Sequence, residues 1–457
     1  MDGRGVTVMA YSYHKPTRDT CEVCEQLAKA DKCMPVIDTY AGRASSSNGY
    51  PFHDWYNFVL GYTPTFPEYM LKREGIKPNN GQVVMDPFVG SGTTQLVCKL
   101  NKIPSYGIDA NDFMVFAALQ KLNWNIDTTI LEKEKIRICN IYKAKIASID
   151  LNDDLLVATK ANQSRPQALD IRYISDKPLI KINILKEAVN EAKLSAAHHD
   201  LFMFAISAIL VPVSNVRYGP GFGVGKQKPD VDVMSYFIKK VDLIIKDLLS
   251  VSEEQRQTLS ETILGDSRHL SDYFAPESVD LMITSPPYPG DHEYTKHSKL
   301  ELIFNGYATD LSSFRTIKKR MIRGSTTNIY KEDNDKKWIE NINGIKTVTN
   351  EIDQRLKNDG ATSGFEKLYT KLIWEYFGGM AMTLSECLKV LKPGGKIALL
   401  VSDSHAFKMV HIKTAELLAE VAKSVGFCDS EIILWQMKNS TSHKYKLREN
   451  ILILKKP

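Results

Sequence analysis

GQVVMDPFVGSGTTQLVCKLNKIPSYGID, residues 81–109, carries the reading of the fold. VVMDPF is a short apolar run of the kind that forms a buried strand. VGSG then breaks it with two glycines, and TTQLVCKLNK has helical periodicity from Thr93 onward. SYGID (105–109) reads as a second strand, and NDFMVFAALQKL (111–122) as a second helix. Strand, turn, helix and strand with connections this short make a βαβ unit, the building block of a parallel, doubly wound sheet. The turn is not a phosphate loop of the Walker kind, because no Lys-Ser/Thr follows Gly92, and it does not match G-x-G-x-x-G. Glycines between the carboxyl end of a strand and a helix N-terminus let a ligand approach the backbone closely. Asp86 and Asp109 end the two strands. Two carboxylates at that edge disfavour an anionic ligand and suit a cationic or hydroxyl-rich one, with Asp109 accepting from ribose hydroxyls. A plain turn with a capping Thr is the simpler alternative.

Outward from this unit, residues 126–260 change character. ILEKEKIRICNIYKAKIASI (130–149), ILKEAVNEAKLSAAHHDLFMFAISAIL (184–210) and VMSYFIKKVDLIIKDLLSV (233–251) are helical runs, with a glycine-rich loop between the last two. The α/β pattern resumes with ETILGDS (261–267) and SVDLMITSPPY (278–288). A polar and basic stretch, about 291–365, interrupts it again. A helix (376–391), the turn KPGG, the strand KIALLVSD, a further helix and the strands EIILWQM and NILILKK close the chain. The expected division is an N-terminal extension (1–60), a first core half (61–125), a helical insertion (126–260), a short core segment (261–290), a basic insertion (291–370) and a second core half (371–457).

The 457 residues carry a formal net charge of +5, which neither demands nor excludes a nucleic-acid partner. The N-terminus lacks the apolar core of a secretory signal, and no stretch reads as a membrane span, so a cytoplasmic location is expected. Seven cysteines, an odd number, suggest no disulfide framework. Cys21 and Cys24 form one Cys-x-x-Cys; with Cys33 and either His14 or His53 they can make a zinc site, but ordinary thiols are the expected reading. His198 and His199 read as core or surface histidines, and no metal site is expected elsewhere.

ITSPPYPG (283–290) is the second informative stretch. A β-prone apolar run ends there in two prolines, which cannot donate to a sheet ladder and which hold the backbone rigidly. Such a corner at a strand's carboxyl end suits the presentation of acceptors to a planar amino group, with Tyr288 offering a face for a stacked base. The lone pair of a cytosine or adenine amine is delocalised into the ring, so the amine is a poor nucleophile. The Ser285 hydroxyl and the Pro286 carbonyl can draw its hydrogens out of plane and localise that pair, for attack on a methyl sulfonium held at the glycine turn.

MDPFVGSGTT together with TSPPY resembles the S-adenosylmethionine-dependent DNA amino-methyltransferases, the N4-cytosine and N6-adenine family. GYTPTFPEYM (61–70) resembles that family's first cofactor motif, ILGDS (263–267) the stretch whose acid meets the cofactor's adenine amine, and ECLKVLKPGGKIALLVSDS the helix and fifth strand of its sheet. The resemblance covers roughly half the chain. It implies a mostly parallel, seven-stranded Rossmann-like sheet with S-adenosylmethionine as cofactor. It assigns Thr63, Pro64, Asp86, Pro87, Phe88, Gly90, Ser91, Gly92, Thr93, Thr94, Asp109, Asp266 and Ser267 to the cofactor, and Ser285, Pro286, Pro287 and Tyr288 to the target base. Ser before Pro-Pro-Tyr favours cytosine N4 over adenine N6. The cofactor half precedes the catalytic half, whereas many members with this corner have the halves reversed. This leaves the place of the recognition region open.

Two clusters are expected to meet double-stranded DNA: Arg217, Lys226 and Lys228 in the glycine-rich loop, and Arg315, Lys318, Lys319, Arg320 and Arg323 in SFRTIKKRMIRGSTTN (313–328). A solvated surface is the alternative for each. No Pro-Cys dipeptide occurs, which excludes the cysteine-nucleophile chemistry of C5 methylation. Nothing resembles a nuclease metal cluster, so a cognate restriction endonuclease would be a separate partner. The expected activity is therefore site-specific methylation of a flipped base in a restriction–modification system. An RNA guanine-N2 methyltransferase and a catalytically silent DNA-binding subunit are the rivals.

Overall fold

The computed structural model describes residues 50–219, 221–290, 292–359, 363–439 and 446–457, so Cys21, Cys24, Cys33 and His14 lie outside the described residues. Seven strands form the main sheet: β1 (Val84–Asp86), β2 (Ser105–Asp109), β3 (Ser260–Leu264), β4 (Val279–Thr284), β5 (Leu391–Ser402), β6 (Asp429–Asn439) and β7 (Lys446–Lys455). Their order is β6-β7-β5-β4-β1-β2-β3, and only β7 runs against its neighbours. The order reverses at β1, which pairs with β2 on one side and β4 on the other. A ligand crevice is expected outside the carboxyl ends of those strands.

Period-two alternation divides the apolar strand residues between two faces. Val84, Leu281, Ile283, Ala398, Leu400, Ile451 and Ile453 pack with helices α1 (Thr65–Arg73) and α2 (Thr93–Leu100). Their neighbours Met85, Met282, Ile397, Leu399, Leu452 and Leu454 face a second core. The long helix between β4 and β5 (Tyr369–Val390) and the one between β5 and β6 (Thr414–Val425) close that side. Covering both faces explains why the strands read as near-continuous apolar runs. Gly378 in the Tyr369–Val390 helix is a close-approach position, since a Cβ there would stand 2.3 Å from the Asp335 carbonyl oxygen.

A third core belongs to the helical segment. The run read as one helix over 184–210 is two, Asp176–Glu191 and Ala196–Val213, and the Ser195 hydroxyl accepts from His198 N at the start of the second. The Ala196–Val213 helix reaches the length and hydropathy of a membrane span, contrary to the reading of the sequence, yet it packs inside this core. The glycine-rich loop after it carries a small hairpin, Val216–Tyr218 with Phe222–Val224. Residues 52–58, assigned from sequence to the extension, belong to the same core. Phe52 stacks on Trp124 at 4.2 Å, and Asp247 accepts from both Phe52 N and Trp55 Nε1. Residues 300–317 of the second insertion join it too. KPGG lies within β5, with Gly394 at φ 74° and a register shift against β4, rather than as a turn ahead of it.

Candidate active site

A cavity of about 950 Å³ opens at the carboxyl edge of the sheet, where the strand order reverses. The glycine turn forms one wall. Gly90 and Gly92 have φ of +52° and +88°, the left-handed region that favours glycine, and the turn delivers the chain directly into α2. Pro87, Phe88, Gly90, Ser91, Thr93 and Asp109 line this wall, as does Thr63 ahead of α1. Asp109 ends β2; its carboxylate accepts from Gly90 N and from Asn111 N, each at 2.8 Å, which ties the glycine turn to the next strand. Burial pushes the Asp109 carboxyl up to about 6.

Asp86 behaves differently from its sequence reading. It is fully buried beneath the turn rather than facing the cavity. The Tyr62 hydroxyl donates to it at 2.7 Å and Phe88 N at 3.0 Å, and burial raises its carboxyl. Thr94 is also interior, with its hydroxyl donating to the Ile283 carbonyl at 3.1 Å and so joining α2 to β4. Both residues brace the turn. Pro64 borders a separate small hollow beside His53 and Lys121. Asp266, expected at the cofactor's adenine, is turned to Arg268 instead. Arg268 Nη2 and Nε grip it at 2.6 and 3.0 Å, while the neighbouring Ser267 borders the cavity. An arginine in bidentate contact is the stronger attractor for a carboxylate than an open cavity.

The Ser-Pro-Pro-Tyr corner after β4 forms another part of the lining: Ser285, Pro287 and Tyr288 border the cavity and Pro286 does not. Tyr376, fully buried on the long helix, donates to the Pro287 carbonyl at 2.9 Å, and Gly290 N donates to the Gly324 carbonyl at 2.9 Å. The corner is thus clamped at its middle and its exit. The Ser285 hydroxyl donates to the Leu400 carbonyl of β5 at 3.0 Å and stands 3.2 Å from the Tyr288 hydroxyl. Sequence reasoning missed Phe58, Tyr218, Trp435, Gln436, Lys438 and Glu449, all of which line the cavity. For Glu449 there was a signal: a carboxylate at the start of the apolar run NILIL.

The basic clusters are placed less simply. Arg323 is 5% exposed and holds Asp333 through two contacts at 2.9 and 3.0 Å, so it is committed inside the protein and cannot reach a phosphate. Lys318 pairs with Glu293 at 3.0 Å, Lys319 and Arg315 with Glu332, and Arg320, at the cavity rim, with Asp112. Lys228 donates to the Pro212 carbonyl at 2.7 Å. Arg217 and Lys226 are exposed. His198 is buried against Glu134, and no group of three metal-ligating side chains occurs among the described residues. His53 Nδ1 lies 3.1 Å from the Pro51 carbonyl, and burial pushes its ring down to about 3.

A parallel sheet reversing at β1, a glycine turn backed by an acid on β2 and a rigid acceptor corner on β4 define a Rossmann-like methyltransferase class. A DNA methylase family model, that of the N6/N4 methyltransferases, matches residues 43–120. Type II methyltransferase M.BsoBI of Geobacillus stearothermophilus is 23% identical over 450 residues, covering 89% of this chain and 86% of that protein. M.AvaI of Nostoc sp. is 21% identical over 411 residues, 82% of this chain and 80% of the relative. Among solved structures, TrmN from Thermus thermophilus overlaps with a TM-score of 0.29 and 12% identity, across 89% of this chain and 52% of that one, too loose an overlap to bear on the fold. Over residues 43–120 the chain is thus similar to the N6/N4 DNA methylases, and S-adenosylmethionine is the methyl donor that likeness implies. The cavity fits that donor in kind: Asp109 offers acceptors for hydroxyls, and the aromatic residues Phe58, Phe88 and Trp435 are part of the lining.

Proposed function

We propose that this chain methylates the exocyclic amine of a base flipped out of duplex DNA, cytosine N4, as the modification enzyme of a Type II restriction–modification pair in the cytoplasm. The observation that carries this is the Ser285 hydroxyl. With its proton on the Leu400 carbonyl, its oxygen keeps lone pairs to accept an amine hydrogen in the cavity that Asp109 also borders. The bound cofactor supplies an electrophilic methyl group. Ser285 draws an amine hydrogen away from the ring plane, Tyr288 stacks on the base, and the glycine turn with Asp109 holds the donor; Pro286, which does not border the cavity, is left out of this contact. The amine nitrogen would take the methyl as the sulfur–methyl bond breaks, leaving a neutral thioether, and would then lose one proton to solvent. Nucleoside mass spectrometry of DNA exposed to the enzyme tests this. N4-methylcytosine is expected; N6-methyladenine would overturn the base assignment, and no methylated nucleoside would overturn the activity.

Asp109 makes cofactor binding depend on pH. Below about 6 its carboxyl is protonated and loses acceptor capacity, so affinity should climb as pH rises toward 6 and level off above it. Because this carboxyl is raised in the fold, its contribution to the stability of the free protein runs the other way and is lost as pH rises through about 6. Titration calorimetry between pH 5 and 8 should show that rise in the wild type and a flat profile in Asp109→Asn.

For DNA, we assign phosphate contact to the exposed Arg217 and Lys226 beside the cavity-lining Tyr218, ahead of the paired cations of 313–328. Replacing both by Ala should reduce the salt slope of binding by about 0.9 for each phosphate no longer neutralised. An unchanged slope would return that hairpin to a solvated surface.

A further inference from the structure

We propose that Glu449 is a positioning residue of the Ser285–Tyr288 corner, setting the direction in which its hydroxyl hydrogen bonds run. The inference rests on the reading of that corner as the seat of the target amine. Glu449 stands on β7, 161 residues beyond Tyr288, yet its Oε1 accepts from the Tyr288 hydroxyl at 3.2 Å. The sheet brings it there: Glu449 is in register with Ser402, and Ile451 with Leu400, the residue whose carbonyl receives the Ser285 proton. Glu449 is 2% exposed, and Gln436 Nε2 and Lys438 Nζ on β6 also donate to it. Gln436, Lys438, Glu449, Tyr288 and Ser285 all border the one cavity.

Among the described residues, the one proton of the Tyr288 hydroxyl can go to Ser285 Oγ at 3.2 Å or to Glu449 Oε1 at 3.2 Å. An ionised carboxylate is an acceptor only, and a stronger one than a hydroxyl. It therefore draws the Tyr288 proton to itself. The Ser285 oxygen is then spared a donor from below and keeps its lone pairs for the substrate amine. Without the carboxylate, the Tyr288 proton turns to Ser285 and occupies the site the amine hydrogen needs. Glu449 never touches the reacting atoms; it acts through Tyr288.

A double-mutant cycle tests this on the full chain, with cofactor and a DNA duplex bearing its methylation site. Glu449→Gln removes the acceptor-only group, and Tyr288→Phe keeps the ring but removes the hydroxyl. Glu449→Gln should lower kcat about tenfold with cofactor KM and DNA affinity unchanged. Adding Tyr288→Phe should recover most of that loss, because the hydroxyl whose proton turns to Ser285 is then gone. No recovery in the double variant, or a wild-type kcat in Glu449→Gln, would overturn the proposal. Should Glu449→Gln melt early from loss of its contacts to β6, the double variant lacks the same carboxylate, and equal kcat in the two below that melting temperature overturns the proposal. Ser285→Ala separates the two levels: an unimpaired Ser285→Ala removes the reading of the corner, whereas a slow Ser285→Ala with no recovery in the double variant removes only the role of Glu449.

Discussion

Ser285→Ala should lower kcat by about 10²–10³-fold while the affinity for S-adenosylmethionine stays at the wild-type value. The size follows from the loss of one preorganised polar contact to a group whose charge changes in the transition state. The separation follows from the partners of each group: Ser285 is held by the Leu400 carbonyl of β5, whereas the glycine turn is held by Asp109 through the Gly90 N bond. Alanine also leaves the Leu400 carbonyl without its donor, but that carbonyl belongs to β5, which is held on both sides by β4 and β7. The fold should therefore survive. Single-turnover kinetics with saturating cofactor measure the chemical step, and equilibrium dialysis measures the cofactor. A full rate in a folded variant would show that the amine is polarised elsewhere.

Arg323→Ala should destabilise the protein by about 3–5 kcal/mol, the cost of leaving a buried ionic partner uncompensated. Arg323 donates to both oxygens of Asp333 and to the carbonyls of Lys318, Lys319 and Met321, and it lies over the Tyr330 ring at 5.2 Å. Asp333 is itself nearly buried, with 6% of its side chain exposed. The loss should also reach the active site. The next residue, Gly324, accepts from Gly290 N, and a Cβ at its position would lie 3.3 Å from the Tyr288 carbonyl oxygen. Urea unfolding measures the loss. Arg323→Met combined with Asp333→Leu should recover much of it, since removing both charges removes the unpaired one. Had Arg323 been a phosphate ligand, alanine would instead have changed the salt slope of DNA binding with little effect on the unfolding midpoint.

These two residues mark different kinds of legibility. The strand–turn–helix of 84–100 and the proline corner of 285–288 were readable because their causes are local. Glycines at positive φ, prolines without donors and a run of apolar residues act within a dozen positions. From such signals follow a doubly wound sheet and the glycine turn and proline corner that border the cavity. The same reasoning did not reach the partners that Asp86, Asp266 and Arg323 take inside the protein. Tyr62 reaches Asp86 from 24 residues upstream, and Arg268 takes Asp266 from two residues away. Asp333 takes Arg323 from ten.

What the sequence determined by itself is where the backbone turns, which faces of its strands are apolar and which residue types stand at the strand ends. What only the tertiary structure decided is where the charges go. A charge in a folded chain lowers its energy through whichever partner packing brings within about 4 Å, and Coulomb attraction at that distance, in a medium less polar than water, outweighs any preference written locally. Hence the cluster at 313–328 is largely neutralised by Glu293, Glu332, Asp112 and Asp333, and a glutamate of β7 stands against the tyrosine of the corner after β4.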